Sequence, residues 1–180
     1  KTKIFHLIIA LDLTGSMSDA IENIQNSLSN LVSIIKNEFP NVLISFYGVR
    51  DYCDEVVITK KIFMKDCIDA KYTIQKEYAF GGGDTPEAHK TCLAEIIMDT
   101  RECAQDMLNV CLFITDAPPH FKNNESNNYD KEQDYLKKKQ YKFALDWIEL
   151  SKILDYDGIQ VFSFVTRDYN TTKKPFSILS

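Results

Sequence analysis

The hydrophobic pattern changes period several times along the chain, and each change marks an element. Residues 4–11 form an unbroken apolar run, the kind that fills a strand buried on both faces. From Asp19 to Phe39 the period lengthens: Ile21, Ile24, Leu28, Leu31 and Ile35 recur at steps of three and four, which is one face of a helix. Asp19 with Glu22 reads as a capping pair, and Pro40 ends the run. "NVLISFYGV" is a second strand, and "VVITKKIF", close behind it across the polar "RDYCDE", predicts a hairpin partner and an antiparallel edge. A polar helix is expected over 67–77. The stretch "FGGGDTPEAHKTCLAEIIMDT" reads as a glycine-rich loop running into a helix whose first turn carries Pro86 and Glu87. "NVCLFITDAPPH" is another buried strand, stopped at Asp116 by the prolines that follow. "FKNNESNNYDKEQ" reads as a polar, mobile loop. Residues 130–154 predict one long helix with Leu136, Phe143, Trp147, Leu150 and Leu154 inward, and "DGIQVFSFVT" is the last strand.

Strands alternating with helices predict an α/β fold, a Rossmann-like, doubly wound, mostly parallel sheet with one antiparallel edge strand and helices on both faces. The 180 residues, 44% of them hydrophobic, suit a single domain over 1–180. In such sheets ligands bind beyond the carboxyl ends of the strands, where connections diverge. Asp12 and Asp116 both stand at such ends, and the "GGGDTPE" loop is placed to reach the same rim.

Composition narrows the partners. A formal net charge of −5 disfavours a surface that neutralises phosphates, so neither nucleic acid nor an anionic membrane is expected. No apolar run approaches the roughly 20 residues that span a bilayer. Lys1 in place of an initiator methionine suggests a piece of a longer protein, open at its C-terminal end. Cys53, Cys67, Cys92, Cys103 and Cys111 are odd in number and form no CxxC pair, so free thiols and a reducing, cytoplasmic setting are favoured. The sequons at Asn124 and Asn170 would permit glycosylation in a secreted or cell-surface setting.

The candidate chemistry lies in oxygen donors. Asp12, Thr14 and Ser16 follow at two-residue intervals, the spacing that puts side chains on one side of an extended chain. The same residue types are favoured at helix starts, so this segment alone supports either reading. Joined by Thr85 or Glu87 and by Asp116, they make an all-oxygen set with few charges, which suits a hard divalent ion, Mg²⁺ or Mn²⁺. His89 and His120 read as loop or surface histidines, because no ligand-spaced Cys or His accompanies them.

"DLTGS", "GGGDTPE" and "ITDAPPH", in that order and across essentially the whole chain, resemble the metal-ion-dependent adhesion site of the von Willebrand factor type A (vWA) domain. The resemblance implies that Thr14 and Ser16 bind the metal through their hydroxyls, and that Asp12 and Asp116 act directly or through water. "GDTPEA" is similar to the integrin β-subunit version, which implies Glu87 as a ligand, with Thr85 the alternative. Ala20 stands where that subfamily has a second acidic residue for an adjacent calcium site. "GGGD.PE" and "TDAPPH" also resemble vWA domains attached to α-kinases. The family implies a non-enzymatic module that captures an Asp or Glu of a partner protein through its ion. Two alternatives stand beside it: a structural or regulatory scaffold for a catalytic domain, and phosphoryl transfer at Asp12. The last commonly wants a second acid two residues on, where this chain has Thr14, and no phosphate-binding G-x-x-x-x-G-K-S/T loop exists.

Overall fold

The chain, described from a computed structural model over residues 3–121, 129–143, 145–167 and 170–179, is built on a five-stranded sheet. Its strands are β1 (Ile4–Asp12), β2 (Leu43–Val49), β3 (Ile58–Met64), β4 (Met107–Thr115) and β5 (Ile159–Val165). The helices are α1 (Ile21–Glu38), α2 (Cys67–Gln75), α3 (His89–Glu102), α4 (Tyr129–Lys139), α5 (Trp147–Tyr156) and α6 (Asn170–Phe176). The sheet order is β3-β2-β1-β4-β5, parallel throughout except for the β2–β3 pair. This is the α/β architecture expected, with its antiparallel edge where the "RDYCDE" turn predicted one.

The central strand shows why the apolar run is continuous. Leu7, Ile9 and Leu11 pack with Leu28 and Val32 of α1 and Ile74 of α2, while Ile8 and Ala10 belong to the opposite layer with α3, Phe113, Trp147 and Leu150. Both faces of β1 are therefore dry, and every position along it except His6 is apolar until Asp12. One polar thread crosses this interior. The His6 ring nitrogens meet Asn109 Oδ1 and Ser45 Oγ, each at 2.8 Å, and Ser45 Oγ accepts from the Phe63 N–H at 2.9 Å. Four strands are thus pinned side by side, since a slip in register would orphan these buried groups.

Three boundaries differ from the sequence expectation. The Asp19–Glu22 capping pair does not form: a 3-10 turn at Gly15–Met17 precedes α1, Ala20 occupies the N-cap position and no side chain caps it. Pro86 and Glu87 are not in the first turn of a helix, because α3 begins at His89. The Glu87 N–H instead donates to Pro118 O at 3.0 Å, which draws the residue into pairing with the chain leaving β4. Finally, the long helix over 130–154 is two helices. Gln140 takes a left-handed conformation after α4, and the Asp146 carboxylate caps α5 by accepting from Ile148 N and Glu149 N. A local cap outweighed the helical period. The predicted loop at 121–133 is described only at its two ends, and residues 122–128 lie outside the described residues.

The C-terminal helix is held by the Phe176 ring and by the Trp147 Nε1–H, which donates to Pro175 O at 2.8 Å. Phe176 is 1% exposed, with its ring 5.2 Å from Trp147, 5.3 Å from Phe113 and 5.6 Å from His89. Phe176→Ala is expected to destabilise the chain by about 3–5 kcal/mol. Urea unfolding checks this as a lower midpoint with unchanged slope.

Candidate metal centre

The sheet topology decides where a site belongs. After β1 the chain moves outward through β2 and β3, then α3 returns it to the other side of β1 as β4. The carboxyl ends of β1 and β4 are neighbours whose connections diverge, the place where open α/β sheets bind ligands. A cleft of about 680 Å³ opens there, lined among others by Thr14, Ser16, Thr85, Glu87, Asp116 and Arg167.

The residues read from the sequence converge, through hydroxyl groups. Asp12, fully buried, accepts on Oδ1 from the Thr14 N–H at 2.9 Å and the Thr14 hydroxyl at 2.6 Å. Ser16 donates to Asp116 Oδ1 at 2.7 Å, and the Thr14 and Ser16 oxygens are 3.3 Å apart. It is the 3-10 turn that brings Ser16 round to Asp116, where an extended segment was expected. A hydroxyl that gives its one proton to a carboxylate keeps its lone pairs for a cation. Both hydroxyls are in that state.

Two glycines shape the wall. Gly81 and Gly82 have φ of 79° and 73°, and a Cβ on Gly82 would lie 3.1 Å from Glu87 Oε1 and 3.3 Å from Thr14 Cβ. The loop is tied to the first one by Gly15 N–H to Gly81 O at 3.1 Å and by Phe80 N–H to Leu13 O at 2.9 Å. Glu87 is 3% exposed behind these glycines, and its Oε2 has no hydrogen-bond partner among the described residues. Thr85 is exposed on the rim.

The electrostatics follow from burial. Burial, and then the charges of Asp12 and Asp51, push the Glu87 carboxyl up to about 10. Asp12 is also raised by burial, against the hydrogen bonds from Thr115 and Thr14, and Asp116 by burial and by Asp12. Three carboxyl groups crowd one place, and an orphaned buried oxygen among hydroxyl donors is what a small hard cation satisfies. Asp12, Thr14, Ser16, Glu87 and Asp116 thus fit a divalent ion, with Thr85 at the cleft mouth.

The histidines overturn the surface reading. His89 and His120 are both fully buried. His89 Nε2 donates to Ala117 O at 3.1 Å and lies 3.0 Å from Thr115 Oγ1, which itself donates to Asp12 Oδ2 at 2.6 Å. Burial lowers His89 to about 3, so it is neutral and orients Thr115. Its helix carries it inward on the apolar face of α3, a placement no ligand-spacing rule detects. Thr115, directly before Asp116, and Arg167, after β5, were also missed. Arg167 reaches Asp116 Oδ2 with Nε at 3.3 Å and donates from Nη2 to Ser16 O at 2.8 Å.

No protein family model matches the chain. It is 32% identical over 176 residues to a protein of Acanthamoeba polyphaga mimivirus named as an ariadne-like RING finger protein, a match that covers 97% of this chain and 17% of that protein. Among solved structures, the pilus adhesin SpaC of Lactobacillus rhamnosus GG, in its open conformation, superposes with a TM-score of 0.68 at 11% identity, over 99% of this chain and 27% of the adhesin. The conserved hypothetical protein BatB of Bacteroides thetaiotaomicron gives 0.54 at 20% identity, over 89% of this chain and 66% of BatB. Likeness at these identities speaks for the fold alone, and the fold is vWA-like.

The Glu87 proton has a measurable cost. Its folded pKa of about 10 stands above the ~4.3 of an unfolded glutamate, so its contribution is complete below about pH 4.3 and is lost as pH rises toward 10. His89 acts in the opposite sense and only as pH falls from about 6.5 towards about 3. In chelator, the melting temperature is therefore expected to fall from about pH 7 to about pH 8.5, and Glu87→Gln should flatten that slope. Thermal unfolding of both proteins across this range measures the difference.

Proposed function

We propose that the chain is a recognition module that uses a Mg²⁺ or Mn²⁺ ion in this cleft to capture an Asp or Glu of a partner protein. The observation that carries the reading is the convergence of Asp12, Glu87 and Asp116 with two proton-donating hydroxyls around an unpartnered buried oxygen. Once the ion displaces the Glu87 proton, Asp12, Glu87 and Asp116 bring three negative charges against its two positive ones. Arg167, bonded to Asp116, supplies the remaining positive charge. A shell balanced in this way leaves the ion electrophilic towards one further carboxylate.

The vWA-like fold shared with an adhesin supports a protein-binding role, and likeness to a segment of a larger RING finger protein supports a module set beside other functional domains. In the second reading the chain is a scaffold or regulator of such a neighbour and the ion is structural. Phosphoryl transfer is disfavoured by Asp12 itself, which is fully buried with both oxygens hydrogen-bonded and has no open line of attack.

Mg²⁺ or Mn²⁺ is expected to raise the melting temperature, and Asp12→Ala or Asp116→Ala to remove the rise. At about 100 times the dissociation constant the gain is roughly 2.7 kcal/mol. Calorimetric scans with and without chelator test it, and an unchanged wild type would remove the metal from the reading.

Capture should depend on the partner's acid. Screening a panel of peptides, each carrying one Glu and paired with its Gln twin, should yield ligands whose binding disappears with chelator and in the Gln twin. Thr85→Ala should weaken capture more than metal binding, whereas Glu87→Gln should weaken metal binding and spare capture at saturating ion. Peptide binding that survives chelation and the Gln substitution would favour the scaffold.

A further inference from the structure

The loop that walls the cleft begins as an aromatic ledge. Tyr78 and Phe80, 65% and 43% exposed, stack with ring centroids 4.9 Å apart, directly before the run of glycines. A buried cation holds them in place. The Arg50 guanidinium lies 4.2 Å from the Phe80 ring centroid, donates from Nη2 to Tyr78 O at 3.3 Å, and has its charge met by Glu77 at 3.7 Å. The Phe80 N–H donates to Leu13 O at 2.9 Å and Gly15 N–H to Gly81 O at 3.1 Å, so the ledge is tied to the loop after β1 that carries Thr14 and Ser16. A tyrosine held open on a preformed stack loses little freedom when a partner covers it, which is the character of an interface anchor.

The charge around the ledge decides what would cover it. Asp54 reaches the glycine loop from the β2–β3 turn and accepts from the Asp51 N–H and the Gly82 N–H, each at 3.0 Å. These donors are neutral and leave its charge standing. A Cβ on Gly81 would lie 2.2 Å from Asp54 Oδ1, so this carboxylate sits against the residue that follows Phe80. Glu55, exposed, adjoins it in the turn, and Asp84 follows in the loop. Arg50 is spent on Glu77. A partner that brings an acid to the cleft therefore meets a rim of its own sign on this side, and a positive charge beside that acid relieves the repulsion. Arginine combines the charge with a planar face that stacks on tyrosine, which lysine lacks.

We infer that Tyr78 and Phe80 form a second contact surface for the partner of the cleft, occupied by an arginine within about four residues of the captured acid, an assignment that rests on the metal-dependent capture proposed for the cleft. The spacing comes from chain geometry. Gly82 lines the cleft, and the stretch from Tyr78 to Gly82 spans at most about 14 Å, which an extended partner covers in the same number of residues. The ion then selects the acid, and the ledge selects its neighbour.

The test is fluorescence anisotropy of labelled glycine–serine dodecapeptides in millimolar Mg²⁺, each with one Glu and with one Arg placed one to four residues to either side of it. Twins carry citrulline, lysine, phenylalanine or alanine in place of the arginine. At the best spacing, arginine is expected to tighten binding about threefold or more over citrulline and alanine, by an amount that shrinks as salt is raised. Tyr78→Ala should abolish that preference while binding of the alanine twin, and its sensitivity to chelator, stay unchanged; Tyr78→Phe should keep it. Because Tyr78 is exposed, the Tyr78→Ala chain is expected to keep its melting temperature. No preference for arginine at any spacing, or a preference that survives Tyr78→Ala, would overturn the ledge and leave metal-dependent capture standing. A preference for phenylalanine over arginine would overturn the choice of occupant. Binding indifferent to chelator, or no binding by any peptide, would overturn metal-dependent capture and the ledge with it.

Discussion

Neighbouring parallel strands whose connections part in opposite directions must leave their carboxyl ends side by side, and in this chain both ends are acidic. Asp12 closes β1 and Asp116 follows β4, with Glu87 brought in behind them by the bond to Pro118 O. Two unit charges 4 Å apart repel by about 4 kcal/mol at an effective dielectric of 20, so three ionised carboxylates cannot share this place without relief. The surroundings are organised as relief. Thr14, Ser16 and Thr115 each direct a proton to a carboxylate oxygen, His89 is kept neutral so that it can orient Thr115, and Arg167 leans over Asp116.

The rest of the fold serves that arrangement by holding the strand ends still. The His6–Ser45–Asn109 thread prevents a slip of β1 against β2 or β4, which by alternation would turn Asp12 away from the cleft. The glycine loop has to pass within contact distance of Thr14 and Glu87, and Gly82 has the missing side chain that makes room. Asp54 fixes the same loop from the opposite side. The positions with the least chemistry therefore decide whether the chemical groups meet.

The fold was legible because the sheet is buried on both sides and its strands are written as apolar runs; the antiparallel edge followed from the short polar turn. Helix boundaries were less so. Asp146 and Gln140 split what the period joined, since a local cap and a left-handed residue act over distances shorter than the pattern that spans them. Asp12, Thr14, Ser16 and Asp116 could be picked out because they stand at strand ends or just beyond them, where polar residues break apolar runs. Glu87 could be named but not placed, because its position depends on Pro118, which is distant in sequence. The buried histidines were misread for the same reason: His89 opens a helix that is covered on several sides, so that Lys90, Thr91 and Glu95 are buried beside it and polarity gave no warning. Arg167 belongs to no motif, and only the sheet order brings it over the cleft.

Arg167 also makes the site answerable to the far end of the chain. Its guanidinium lies 3.3 Å from Asp116 Oδ2, so a residue some fifty positions further along the chain sets how much charge that carboxylate presents to the cleft. The cleft is thus finished from the last strand of the sheet, and the chain beyond that strand is in turn anchored by the packing of Phe176 against Trp147 and Phe113.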